Sequence, residues 1–329
     1  MRSIQVQNKL SAPHFGKDSP LSAIISAKTR LPTTNLHPLP ETHTLWEAAW
    51  WGLQTSKRFQ QLDIGTQNTI LGACNRTLLN EAYFIEKSGL AYAAKMILLS
   101  ESTDTAQLYA LIGADEARHL SWIEPYIKNE DKIQPNSQFL GFLSRLIEEA
   151  SPSVLVYLVQ VLLEGWGLDH YNRLAAGCQY PPLAQIFTAI LKDEALHHKS
   201  GGILLKPAEW QARDWRQVRE ALRLYTKLVQ IGPLSVIAEI ERIIGPLAIQ
   251  ELEDLLLALG HPEASHRKLT LLKRLMRQPN LESLVDELDA TGCFASFSIM
   301  QAAAFYQDCQ SGRQAAFCLG QDPSSGQNL

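Results

Sequence analysis

Two stretches of the chain repeat one pattern, E-x-x-G-L followed at a fixed distance by D-E-A-x-H. The first copy holds Glu86, Gly89 and Leu90, then Asp115-Glu116-Ala117-Arg118-His119; the second holds Glu164, Gly167 and Leu168, then Asp193-Glu194-Ala195-Leu196-His197. The separation of the two glutamates is the same in both copies (116 − 86 and 194 − 164 are each 30). On a helix, Glu and His at i and i+3 project from one face, as two ligands of one metal must. A single ExxH is commonplace on solvated helices, so the weight lies on its duplication with an upstream Glu.

Each early Glu lies about 15 residues before the turn of a helical hairpin, near Glu101 or Gln179, and each ExxH about 15 after it, and residues equidistant from such a turn lie side by side. Glu86 is therefore expected to face Glu116, and Glu164 to face Glu194. Two such hairpins packed together bring four carboxylates and two imidazoles to one level among apolar residues such as Tyr83, Ala93, Ile112, Val161 and Ile190. Four buried carboxylates without compensation are strongly unfavourable. Two divalent ions balance their charge, and carboxylate with imidazole and no thiolate suits iron or manganese. The expected metal ligands are Glu86, Glu116, His119, Glu164, Glu194 and His197. Glu81 is also helical, but Glu86 reproduces the spacing of the second copy. His170 and His198 fall off the ligand face.

The remainder reads as helical throughout. Residues 1–42 hold five of the 16 prolines and read as an extended or partly disordered arm, and 320–329 as a loose tail. Between them, apolar residues recur at helical spacing, with no alternating strand pattern. Breakers divide this body into helices over 66–100, from about 104 to 126, 137–150, 151–176 and 183–205. Four or five more are expected after Pro207, separated at Gly232-Pro233, Gly260-His261-Pro262, Gln278-Pro279 and Thr291-Gly292. The division is thus an arm (1–42), a metal-binding bundle (43–206), additional C-terminal helices packed on it (207–319) and a tail (320–329). Leu252, Leu255, Leu256 and Leu259 read as core.

With 30 Lys+Arg against 34 Asp+Glu, the formal charge of −4 advertises neither a nucleic-acid nor an anionic-membrane surface. The five cysteines are spread without a CxxC pair and read as reduced thiols of a cytoplasmic protein. Neither a signal peptide nor a membrane span is expected.

The order Glu, ExxH, Glu, ExxH resembles the ferritin-like di-iron carboxylate superfamily over residues 68–205. The resemblance implies an all-α fold, a ferritin-like four-helix bundle with additional C-terminal helices. It implies two irons, with manganese as the alternative: Glu86, Glu116 and His119 on one ion, Glu164, Glu194 and His197 on the other, Glu116 and Glu194 bridging. The Asp before each ExxH resembles the oxygen-activating branch, and implies that Asp115 orients His197 and Asp193 orients His119. Two departures narrow the subclass. Ile123 stands where the small subunit of ribonucleotide reductase carries its radical Tyr, and Leu168 stands where multicomponent monooxygenases often carry Thr. Tyr83 and Tyr109 are left as candidates for proton delivery.

The activity implied is O2-dependent oxidation of a small-molecule or carrier-bound substrate by hydroxylation, desaturation or N-oxygenation. Iron storage or oxidative-stress protection without substrate oxidation is the alternative. No reductase motif is present, so electrons must come from an external ferredoxin or flavoprotein, and a homodimer is compatible. The basic residues His266, Arg267, Lys268, Lys273, Arg274 and Arg277 form a solvated face on which such an acidic partner could dock.

Overall fold

A computed structural model describes residues 29, 44–127 and 138–310, so the expected tail and all of the expected arm but Thr29 lie outside the described residues. The described residues are helical and contain no strand. Two one-turn helices, Ala48–Trp51 and Lys57–Gln60, precede α1 (Ile64–Leu99). Then come α2 (Thr103–Ile123), α3 (Gln138–Glu149), α4 (Pro152–Leu155), a π-helical stretch Val156–Leu163, α5 (Glu164–Gly177) and α6 (Pro181–Leu204). The C-terminal part holds α7 (Ala212–Ile231), α8 (Leu234–Ile244), α9 (Ile249–Ala258), α10 (Glu263–Met276), α11 (Glu282–Ala290) and α12 (Ile299–Gln310).

The boundaries follow local chemistry. Ser102 opens α2, its hydroxyl accepting the Thr105 N–H at 3.2 Å, and Ser151 opens α4 by accepting the Val154 N–H, with Pro152 in the first turn. Two expectations are corrected. Pro181 and Pro182 do not merely end the preceding helix but open α6, where a missing N–H costs nothing. After Pro207 the described residues form six α-helices rather than four or five, because Gly245, at φ +87°, followed by Pro246, makes a further break between α8 and α9.

The described residues form two compact units, one of 29, 44–45, 76–127 and 143–205, the other of 46–75, 138–142 and 206–310. The first contains the whole duplicated pattern. Within it, α5 and α6 are an antiparallel pair joined by a short turn, and α6 also packs on α2 and the π-helical stretch. The buried Lys95 of α1 donates from Nζ to the carbonyls of Ile147, Glu148 and Ala150 at 2.7, 3.0 and 2.9 Å. A cation there satisfies the end of α3 and complements its dipole. In the second unit, Leu53, Phe59 and Ile70 share one apolar cluster with Ile237, Leu252, Leu256 and Tyr306. Residues 46–75 thus share their core with the C-terminal helices.

Cys74, Cys178 and Cys293 are free thiols, whereas Cys309 is disulfide-bonded, which corrects the expectation of reduced cysteines throughout. No helix among the described residues is long and apolar enough to cross a membrane. On the basic face, Lys273 pairs with Asp289 at 2.8 Å and Arg277 pairs with Asp286, while His266, Arg267, Lys268 and Arg274 are exposed.

Candidate metal centre

Four helical segments deliver the six expected ligands. Glu86 comes from α1, Glu116 and His119 from α2, Glu164 from the first residue of α5, and Glu194 and His197 from α6. All six are buried. Ligand-capable atoms of Glu86, Glu116, His119 and Glu194 lie within 4.8 Å of one another, and so do those of Glu116, Glu164, Glu194 and His197. Glu116 and Glu194 belong to both groups. Glu81, His170 and His198 belong to neither, and His198 Nδ1 instead lies 2.9 Å from the Val161 carbonyl.

The two imidazoles are held alike. His119 turns Nδ1 toward Glu86 Oε2 at 2.9 Å and Glu194 Oε1 at 3.6 Å, and its Nε2 lies 3.1 Å from Asp193 Oδ2. His197 turns Nδ1 toward Glu116 Oε1, Glu194 Oε2 and Glu164 Oε2 at 3.5, 3.6 and 3.7 Å, and its Nε2 lies 3.2 Å from Asp115 Oδ2. Each Asp therefore reaches across to the imidazole of the other copy.

Comparison with protein-family models, with curated proteins and with solved structures gave no significant match. The side chains alone carry the chemistry.

Burial raises the Glu116 carboxyl well above its ordinary value, and the charges of Glu194 and Glu86 add to this. Burial raises Glu86 as well, against the lowering effect of its bond to His119. Burial also opposes charge on the imidazoles, but facing carboxylates outweigh it. His119 is raised to about 9 by Asp193 and Glu86, and His197 to about 10 by Asp115 and Glu194. Without metal, the cluster is thus a set of repelling carboxylates held together by protonated imidazoles.

One atom does not fit that metal-free arrangement. His197 is 2% exposed, and its Nδ1 makes no hydrogen bond although three carboxylate oxygens surround it. Held only by ion pairs of 3.5–3.7 Å, this nitrogen is more loosely satisfied than Nδ1 of His119, which lies 2.9 Å from Glu86 Oε2. A cation between imidazole and carboxylates removes this defect and the carboxylate repulsion together. The donor set, oxygen and imidazole nitrogen without sulfur, fits iron or manganese.

Three contributors escaped the sequence reading. The Tyr171 hydroxyl donates to Glu86 Oε1, and its ring stacks on Phe187 with centroids 5.9 Å apart. Tyr171 stands seven residues, two turns, beyond Glu164, so its face of α5 could have been marked. Arg118 pairs with Asp115 and lies 3.6 Å from Asp193, placing one guanidinium between the two carboxylates that hold the imidazoles. The second copy has Leu196 at that place, an asymmetry visible in the repeat. Gln160, in the π-helical stretch, accepts at Oε1 from Tyr92 and Tyr109, each at 3.0 Å, and donates from Nε2 to the His197 carbonyl at 3.2 Å and Ser200 Oγ at 2.7 Å. Tyr109, a candidate for proton delivery, is therefore engaged away from the carboxylates.

The raised imidazoles fix the sign of a pH effect. Stability gained from a charged His is complete below the unfolded value of about 6.5 and is lost as pH rises through the folded values of about 9 and about 10. The raised Glu116 and Glu86 act in the same direction, since their charging in the folded state is disfavoured. The Tm of metal-free protein should therefore fall between pH 7 and 10 and fall less in a His119→Gln/His197→Gln variant. Identical profiles for the two proteins would contradict the assignment.

Proposed function

We propose that this chain is a ferritin-like di-iron protein of the oxygen-activating kind, an O2-dependent oxidoreductase acting on a small-molecule or carrier-bound substrate. The observation that carries the reading is the pair of Glu/His groups sharing Glu116 and Glu194 around the unsatisfied, buried Nδ1 of His197. Glu86 and His119 hold one metal, Glu164 and His197 the other, and Glu116 and Glu194 serve both. Two irons bound there would supply the redox chemistry that activates O2 for hydroxylation, desaturation or N-oxygenation.

The protein's own part is positional. Asp193 and Asp115 fix the ring orientation of His119 and His197 and leave each Nδ1 facing the carboxylates. Tyr171 holds Glu86 by one oxygen and leaves the other directed at the cluster. The apolar surroundings keep bulk water from the carboxylates. Reducing equivalents come from a separate ferredoxin or flavoprotein.

Full-length protein produced under iron-replete conditions is expected to contain two irons per chain by elemental analysis and, once reduced, to consume O2. Absence of iron and manganese would sink the proposal. Uptake far beyond two per chain would favour storage instead.

A further inference from the structure

α2 and α6 run antiparallel, and the seam between them carries large apolar side chains in the open. Asp115 of α2 meets His197 of α6 at 3.2 Å, and His119, four residues on in α2, meets Asp193, four residues back in α6, at 3.1 Å. That register puts Leu111, one turn before Asp115 on the same face, at a level between Leu196 and Ile203 of α6. Leu196 follows Asp193 by three residues and Ile203 follows Leu196 by seven, so both flank the seam. Leu111, Leu196 and Ile203 are 66%, 64% and 72% exposed.

The acidic groups of the seam are engaged, and its free charges are basic. Asp115 and Asp193 are only partly exposed, hold the imidazoles and share Arg118. Lys192 and Lys199, seven residues apart on α6 with Leu196 between them, are exposed, and neither takes part in an ion pair among the described residues. Neighbouring exposed apolar side chains rimmed by charge of one sign mark an interaction surface rather than a solvated face. The basic face of α10 lacks such an apolar centre, since none of its large apolar side chains is exposed, and its Lys273 and Arg277 are already paired. A second copy of this chain does not suit the seam, because it would set lysines against Lys192 and Lys199. The complementary partner is acidic.

We propose that the α2–α6 seam is the docking surface for the external electron donor, a small acidic carrier protein. Its apolar contact residues cover Leu111, Leu196 and Ile203, and its carboxylates meet Lys192 and Lys199. Its redox group then faces Arg118 and the two aspartates, where a single carboxylate separates each imidazole Nε2 from the surface. The donor's role rests on the di-iron reading above, and the basic face of α10 is left as a solvated one.

Calorimetric titration of full-length protein with an acidic plant-type [2Fe–2S] ferredoxin at low ionic strength reads the docking, with iron content measured on the same sample. Binding is expected to weaken at least about tenfold in Lys192→Glu/Lys199→Glu and in Leu111→Ser/Leu196→Ser, and to keep its wild-type value in Arg267→Glu/Arg274→Glu on α10. Added salt should shrink the loss caused by the lysine changes and not the loss caused by the leucine changes. All these side chains are exposed, so circular dichroism should match wild type, and the lysine pair decides the matter if the leucine variant does not fold. Dithionite, which needs no docking, should reduce the bound iron at one rate in all variants, while reduced ferredoxin should act at least about tenfold more slowly on the two seam variants. Absence of ferredoxin binding by wild type, wild-type affinity in both seam variants, or equal loss in the α10 variant would overturn the assignment and leave the di-iron reading standing. Adhesion to phosphatidylserine vesicles that is lost in the seam variants, without ferredoxin binding, would put an anionic lipid surface in the partner's place. Iron-free wild-type protein would overturn the di-iron reading, and the donor's role with it, before ferredoxin is added.

Discussion

Glu116→Gln is expected to cost the protein both metal ions, whereas Glu164→Gln costs one. The difference follows from membership: oxygens of Glu116 lie within 4.8 Å of the other candidate ligand atoms in both groups, and Glu164 contributes to only one. Glutamine preserves volume but removes a charge and places a donor where a cation should sit. Changing a group that merely supports a ligand costs 10–100-fold in metal affinity, so losing a shared ligand should cost more than about a hundredfold at each position. Glu194→Gln should behave like Glu116→Gln, and Glu86→Gln like Glu164→Gln. Without metal the sign reverses. Burial and the charges of Glu194 and Glu86 already hold the Glu116 carboxyl far above its usual range, so the amide removes a repelled group and metal-free stability should be equal or higher. Anaerobic Fe(II) or Mn(II) titration by calorimetry, with Tm measured in chelator, reads both effects. Equal losses in all four variants would show that Glu116 and Glu194 are not shared.

The cluster was legible because duplication supplied its own register. Glu86 and Glu116, like Glu164 and Glu194, stand equally far from a turn, and an antiparallel helical pair needs nothing more to bring them together. The crossing of Asp115 to His197 and of Asp193 to His119 came from the resemblance, and in the structure the two pairs lie 3.2 and 3.1 Å apart. What stayed hidden depends on contacts that spacing does not encode. Gln160 reads as one polar residue in the apolar run Val156–Leu163, and nothing local announces the π-helical winding of that run. Its partners Tyr92, Tyr109 and Ser200 come from α1, α2 and α6, which only tertiary packing brings together. Residues 46–75 read as the start of the metal-binding bundle because their helical period runs on into α1. Their grouping with the C-terminal helices is decided by where Leu53, Phe59 and Ile70 find an apolar partner surface.

Gln160→Leu should separate stability from metal binding. Gln160 is fully buried, and its one carbonyl oxygen accepts from the hydroxyls of Tyr92 and Tyr109, also buried. Leucine removes that acceptor at similar volume, leaving two enclosed phenols without it at a cost of about 1–3 kcal/mol each, so about 2–6 kcal/mol in all. Converting both tyrosines to phenylalanine in the same chain removes the stranded donors and should recover most of the loss, since an apolar trio of the same shape has little left unsatisfied. Metal binding should not recover. The Nε2 tether to the His197 carbonyl is absent in both variants, and His197 is the imidazole whose Nδ1 has no hydrogen bond of its own. Affinity at the Glu164 and His197 position should stay lower by about 10–100-fold, while the Glu86 and His119 position keeps its value. Urea unfolding of metal-free protein gives the first quantity and Mn(II) titration the second. Recovery of both together in the triple variant would mean that Gln160 serves packing alone and does not position His197.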